Sequence, residues 1–115
     1  MRYMMFYKSG KEATAPPSNE HLAEMGKLIE EMTKAGVLLS TEGLQPSSKG
    51  ARVRVSGGKF TVSDGPFTEA NEFIGGYAMV QVKSKEEAIE WAKRFLNVVG
   101  EGESEIRLMH EAPQR

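Results

Sequence analysis

Apolar and polar residues repeat with two different periods along this chain. In Arg2–Lys8 every position between the charged ends is apolar, with Tyr3, Met5 and Tyr7 on one side of an extended strand and Met4 and Phe6 on the other. A strand of this kind is expected to be covered on both faces. Ser9–Pro17 is a polar loop ending in Pro16-Pro17. Ser18 suits a helix N-cap, and Leu22, Met25, Leu28, Ile29 and Met32 recur at helical spacing through Asn19–Ala35. Gly36 supplies the stop. Val37–Thr41 reads as a short strand, and Glu42–Gly50, with its Gly, Pro and Ser, as a loop.

The clearest hairpin signal lies in Ala51–Ser63, where Val53, Val55, Phe60 and Val62 alternate with Arg52, Arg54, Lys59 and Thr61. Gly57-Gly58 permits the positive φ values that a two-residue hairpin loop requires. Pairing outward from it sets Ser56 against Lys59, Val55 against Phe60, Arg54 against Thr61 and Val53 against Val62. One face of the hairpin is then apolar, and the other carries Arg52, Arg54 and Thr61. Asp64-Gly65-Pro66-Phe67 reads as a turn, and Thr68–Gly75 as an irregular or partly helical connection. Gly76–Lys83 is a strand with Ala78, Val80 and Val82 on one face and Tyr77, Met79 and Gln81 on the other. Ser84 and Glu87 fit a capping box. The helix they open runs to about Asn97 and buries Ala88, Trp91, Ala92 and Phe95. Glu105–His110 is a last strand, followed by a polar tail.

The order strand, helix, strand, hairpin, strand, helix, strand predicts a ferredoxin-like α+β sandwich with an inserted β-hairpin. Its two helices cover one sheet face. The other face carries Met4, Phe6, Tyr77 and Met79, and a bare apolar face in a soluble protein needs a partner. A second copy related by two-fold symmetry is the simplest one.

Composition narrows the chemistry. At 115 residues, 39% hydrophobic and 27% charged, the chain fits one globular domain over residues 1–115 and is too apolar for a disordered segment. Its 15 basic and 16 acidic residues leave a net charge of -1, which gives no footprint for nucleic acid or an anionic membrane. The absence of cysteine removes disulfides, thiol nucleophiles and Cys-type zinc sites. No apolar run approaches the roughly 20 residues of a membrane span, and Tyr3–Tyr7 is too short for a signal peptide. The expectation is a soluble cytoplasmic protein.

The run Asp64-Gly65-Pro66-Phe67-Thr68-Glu69-Ala70-Asn71-Glu72, followed by Gly75-Gly76-Tyr77, resembles the signature of the DGPF branch of the YCII-related family. Gly43-Leu44-Gln45-Pro46-Ser47, Glu87-Ala88, Trp91-Ala92 and the opening Arg2-Tyr3-Met4-Met5 match the usual surroundings. The chain departs from the pattern at Asn71, where Lys or Thr is more typical. The resemblance covers nearly the whole chain and implies a dimeric α/β-barrel, with ferredoxin-like subunits packed sheet to sheet. It also implies a His and an Asp near a cleft as a catalytic pair. Some relatives resemble small-molecule lyases and isomerases, and DGPF relatives often accompany extracytoplasmic-function sigma factors.

His21 is the first candidate for chemistry. It falls at N3 of the first helix, on the stripe facing the sheet, at a helix end that favours the neutral imidazole a base needs. A plain first-turn or rim histidine is the alternative. Asp64 is the second candidate, as orienter or acid partner of His21, and a turn-stabilising Asp is the alternative. Arg52 and Arg54 share a hairpin face and could clamp a carboxylate or phosphate, or else form a solvated face or pair with Glu69 or Glu72. Tyr77, with Tyr3, Tyr7 and Met79, could line an apolar cavity between subunits or simply serve as core or interface. No metal-ligand spacing, phosphate loop or serine elbow is present, so neither a metal nor a cofactor is expected. Two functions fit: a cofactor-independent lyase or isomerase, or small-molecule binding protein, using His21 and Asp64; or a non-catalytic regulatory module tied to sigma-factor signalling.

Overall fold

The computed structural model describes residues 1–12, 17–70 and 72–111. Pro16, Asn71 and residues 112–115 of the polar tail lie outside them. The elements are β1 (Arg2–Ser9), α1 (Asn19–Lys34), β2 (Leu38–Gly43), β3 (Ala51–Ser56), β4 (Lys59–Asp64), β5 (Phe73–Gln81), α2 (Lys85–Val99) and β6 (Glu103–Leu108). A single 3-10 turn, Ser47–Lys49, precedes β3.

Four strands form one sheet in the order β2-β5-β1-β6, with every neighbouring pair antiparallel. β1 and β2, joined through α1, are separated by β5. That is the split β-α-β arrangement of a ferredoxin-like α+β fold. β3 and β4 form a second, two-stranded sheet and pair only with each other. The hairpin register matches the sequence reading pair for pair, from Ser56 opposite Lys59 to Val53 opposite Val62. The reason is local: Gly57 and Gly58 take φ values of 57° and 79°, which set the loop and therefore every pair beyond it.

Both helices start as their caps dictate. The Ser18 Oγ accepts the His21 N–H at 3.1 Å, and the Ser84 Oγ accepts the Glu87 N–H at 3.1 Å. The Glu87 carboxylate reaches back to the Lys83 N–H, one residue before the cap. Gly100 ends α2 at φ 87°.

The core lies between the helices and one sheet face. It holds Tyr3 and Met5 of β1, Val80 of β5, Leu28 and Met32 of α1, and Ala88 and Ala92 of α2, with Val37 and Val82 at the strand ends. Truncating Leu28 or Met32 to alanine would cost about 2–5 kcal/mol. Arg94 of α2 donates two hydrogen bonds to the Glu31 carboxylate of α1, at 2.8 and 2.5 Å, and ties the helices together on the outside.

Three strands extend past one expected end by more than a single residue, while β5 stops early at Gln81 and β6 at Leu108. β2 continues through Glu42 and Gly43, which pair with Tyr77 and Gly76. β5 begins at Phe73, because Phe73 and Ile74 pair with Ser9 and Lys8 across a bulge. β6 spans Glu103–Leu108, because Glu103 and Ser104 pair with Lys8 and Tyr7. In β2 and β6 an available partner strand overrides the weak strand preference of Gly, Glu and Ser, and in β5 pairing carries the strand past Gly75 to the β-favouring Phe73 and Ile74. Met4 and Phe6 are half-buried in the chain alone, whereas Tyr3 and Met5 on the helix side are buried.

Candidate functional site

Side chains on the helix side of the sheet fall into three rows across its strands. The first row is Leu38, Val80, Tyr3 and Leu108. The second is Thr41, Ala78, Met5 and Ile106. The third is Gly43, Gly76, Tyr7 and Ser104. Volume falls from row to row, and in the third only Tyr7 is large. Helices resting on the first two rows cannot close onto the third, so space remains above it.

That space is a cavity of about 550 Å³. Its floor is Thr41, Ala78 and Met5 of the second row and all of the third. Its roof comes from α1, through His21, Leu22, Met25 and Ile29, and from α2, through Trp91, Phe95 and Val99. Small-molecule sites span roughly 300–1,000 Å³ and are lined mainly by apolar groups with a few polar ones, which describes this wall.

Glycine keeps the space open. A Cβ on Gly76 would lie 2.7 Å from the Glu42 carbonyl oxygen, and one on Gly75 would lie 2.9 Å from the Tyr7 ring. Tyr7 is itself held in place. Its hydroxyl donates to the Glu101 carbonyl at 2.9 Å, and its ring meets Phe95 edge-on, 5.4 Å between centroids. Burial, helped by the Glu101 charge, pushes its phenol above the usual tyrosine value.

His21 is half-buried in the cavity wall, and its imidazole makes no hydrogen bond among the described residues. Asp64 stands elsewhere: it ends β4 opposite Ala51, is exposed, and is not part of the wall. Register puts it on the same hairpin face as Val53 and Val62. Arg52 and Arg54 lie on the opposite hairpin face. Arg52 pairs with Glu69, and its guanidinium carbon sits 3.8 Å from the centre of the Phe67 ring. The Glu69 carboxyl is held below the usual range by a backbone hydrogen bond and by Arg52. Tyr77 touches the cavity along its strand, but register turns its side chain to the other sheet face, opposite Phe6, where its hydroxyl lies 3.1 Å from the Ser40 Oγ. The structure thus brings His21 and Tyr7 to one cavity, puts the Tyr77 side chain on the opposite face of the sheet, and leaves Asp64, Arg52 and Arg54 on the hairpin.

The sequence reading passed over Ser47, which organises the hairpin base. Its N–H and hydroxyl both donate to the Glu12 carboxylate at 2.5 Å, and its Oγ accepts the Phe67 N–H at 3.1 Å. A Cβ on Gly65 would lie 1.6 Å from the Ser47 carbonyl oxygen, so only glycine fits there. The Gly65–Pro66 peptide bond is cis. Ser47 lies inside the Gly-Leu-Gln-Pro-Ser run, whose resemblance to the surroundings of Asp-Gly-Pro-Phe is the signal that could have marked it.

Among the described residues, no helix is long and apolar enough to cross a membrane. A comparison with curated proteins finds no match. The YCII-related domain model matches residues 1–109, and the chain belongs to that family.

Proposed function

We propose that this protein binds a small, largely apolar molecule in the cavity between the helices and the sheet, and that His21 moves a proton on it. The cavity carries the reading: about 550 Å³ of space with one titratable imidazole in an otherwise mostly apolar wall. The reaction class is proton abstraction and return, as in an isomerase or lyase. His21 accepts a proton from a carbon next to a carbonyl and returns it to the product, so no cofactor is required. Asp64 as orienter of His21 and Arg52 or Arg54 as an anion clamp are added to the proposal without support from the cavity, because within one chain all three stand on the hairpin, outside its wall. The His21 part stands on the cavity wall alone. The Asp64-Gly65-Pro66-Phe67 run supports placement in the DGPF branch, and the cysteine-free composition is compatible with a cytoplasmic protein.

We further propose a homodimer of the α/β-barrel type, packed through the sheet face away from the helices. Met4 stands opposite Met79 and Phe6 opposite Tyr77 at the centre of that face. Around them lie ion pairs, Lys8 with Glu105 and Glu72, Arg2 with Glu111, and Arg107 with Glu105. An apolar centre with a charged rim is the anatomy of a protein interface.

A panel of small aromatic and aliphatic carbonyl compounds, assayed by thermal shift and then for solvent-deuterium incorporation, tests the function. Expected are a stabilising ligand and deuterium uptake that His21→Ala removes while binding persists. Uptake at an unchanged rate in His21→Ala would defeat the catalytic role. Asp64→Asn checks the pairing: loss of uptake supports it, and a wild-type rate removes Asp64 from the mechanism. The exposed hairpin favours a second reading, an interaction module without chemistry, and a panel with no binder at millimolar concentration would favour it.

A further inference from the structure

The β3–β4 hairpin is an arm with one satisfied face and one unsatisfied face. Val53, Val55, Phe60 and Val62 are 65, 61, 75 and 64% exposed. Register puts all four on the same side. The other side is polar and is tied to the chain at its base, through Arg52 over Phe67 and its pair with Glu69. The base is fixed as well: the Gly65 N–H donates to the Gly50 carbonyl at 3.0 Å, next to the Ser47 hydrogen bonds. The arm is therefore held in a set direction, with its apolar face outward. It also makes the molecule extended: the radius of gyration is 16.3 Å, against about 13 Å for a compact chain of 100 residues.

A lone two-stranded hairpin is marginal in water unless its apolar face is covered. Three valines and a phenylalanine exposed to this degree leave roughly 400 Å² of apolar surface on each arm. We propose that a second copy of this chain covers that face, each copy giving its arm to the other across a two-fold axis. Area favours this occupant. Two arms and the two surfaces they cover bury roughly 1,600 Å², which is the size of a standard stable interface. Reciprocity favours it too, because one isologous contact covers both exposed arms at once. A net charge of -1 leaves no strong repulsion between copies. The inference rests on the homodimer proposed above and adds the arm as the element that crosses it.

The chain has no cysteine, so one introduced thiol is a clean probe. Sedimentation of the full chain is compared with that of Val55→Asp/Phe60→Asp, and an environment-sensitive dye is attached to Val55→Cys. Expected are a wild-type dimer, at least tenfold weaker dimerisation in the double variant, and a dye signal that turns apolar as concentration rises. Both positions are exposed in the single chain, and circular dichroism checks that the variants fold. If the dye variant misfolds, hydrogen exchange of the Val53–Val62 amides across the dilution series replaces it. A monomeric wild type would overturn the dimer and the arm together. A wild-type dimer matched in strength by the double variant, with the dye or amides at Val55 open to water, would overturn the arm alone.

Discussion

Gly76 of β5 lies directly opposite Tyr7 of β1, in the one row of the sheet where every other helix-side residue is Gly or Ser. The pair sets the depth of the cavity. A methyl group at Gly76 meets the Glu42 carbonyl at 2.7 Å, and backbone cannot yield as a flexible side chain does. Gly76→Ala should destabilise the fold by about 1–3 kcal/mol, read as a lower urea midpoint.

Filling the space from the second row should act differently. Ala78 is half-buried and borders the cavity. Ala78→Leu should take up part of the cavity, block binding of an apolar reporter dye, and leave stability within about 1–2 kcal/mol of wild type. Undiminished dye binding in a folded Ala78→Leu would place the dye outside the cavity.

Tyr7 predicts an alkaline effect. Burial, with the Glu101 charge, raises its phenol above the ordinary 10.0. Its contribution to stability is therefore fully present below pH 10 and is lost as pH rises through the folded value. Tyr7→Phe should cost about 1 kcal/mol at neutral pH through the lost hydrogen bond to Glu101, and should flatten the alkaline limb of a urea-midpoint profile.

Acid should act through three carboxyls. Glu31 is held below the ordinary 4.5 by hydrogen bonds from Arg94, and Glu105 by hydrogen bonds from Lys8 and Arg107. Glu69 is lowered by a backbone hydrogen bond and by Arg52. Each contribution is present above the unfolded value and is lost as pH falls through the folded one. The groups are exposed, so the effect should be small and salt-sensitive. The double variant Glu31→Gln/Glu105→Gln should show a shallower loss of stability below pH 4.5 than wild type.

The hairpin base offers a separate check. Ser47→Ala removes the hydroxyl shared by Glu12 and the Phe67 N–H, and should cost about 1–3 kcal/mol. Gly65→Ala drives a methyl group into the Ser47 carbonyl and should cost roughly 2–3 kcal/mol. Hydrogen exchange should show the loss first in the Gly65 amide, which donates to Gly50.

Local chemistry was legible in the sequence wherever a few adjacent residues decide the outcome. Ser18 and Ser84 cap their helices because a hydroxyl reaches an N–H three residues on. The hairpin register follows from two glycines. The two faces of β1 follow from strict alternation, and the element order limits the sheet to few topologies. His21 was placed on the sheet-facing stripe by helical spacing alone, and it stands in the cavity wall.

Tertiary structure decided what no local window contains. The third row joins Gly43, Gly76, Tyr7 and Ser104 from four separate strands, and their small size matters only once pairing has aligned them. The same pairing drew Glu42 and Gly43, and Glu103 and Ser104, into strands against their own preferences. The apolar hairpin face was readable from alternation, but its exposure was not, because burial depends on which surfaces the rest of the chain leaves within reach. Asp64 and His21 are both polar residues at element ends. Only packing put one in a cavity wall and the other at the foot of an arm.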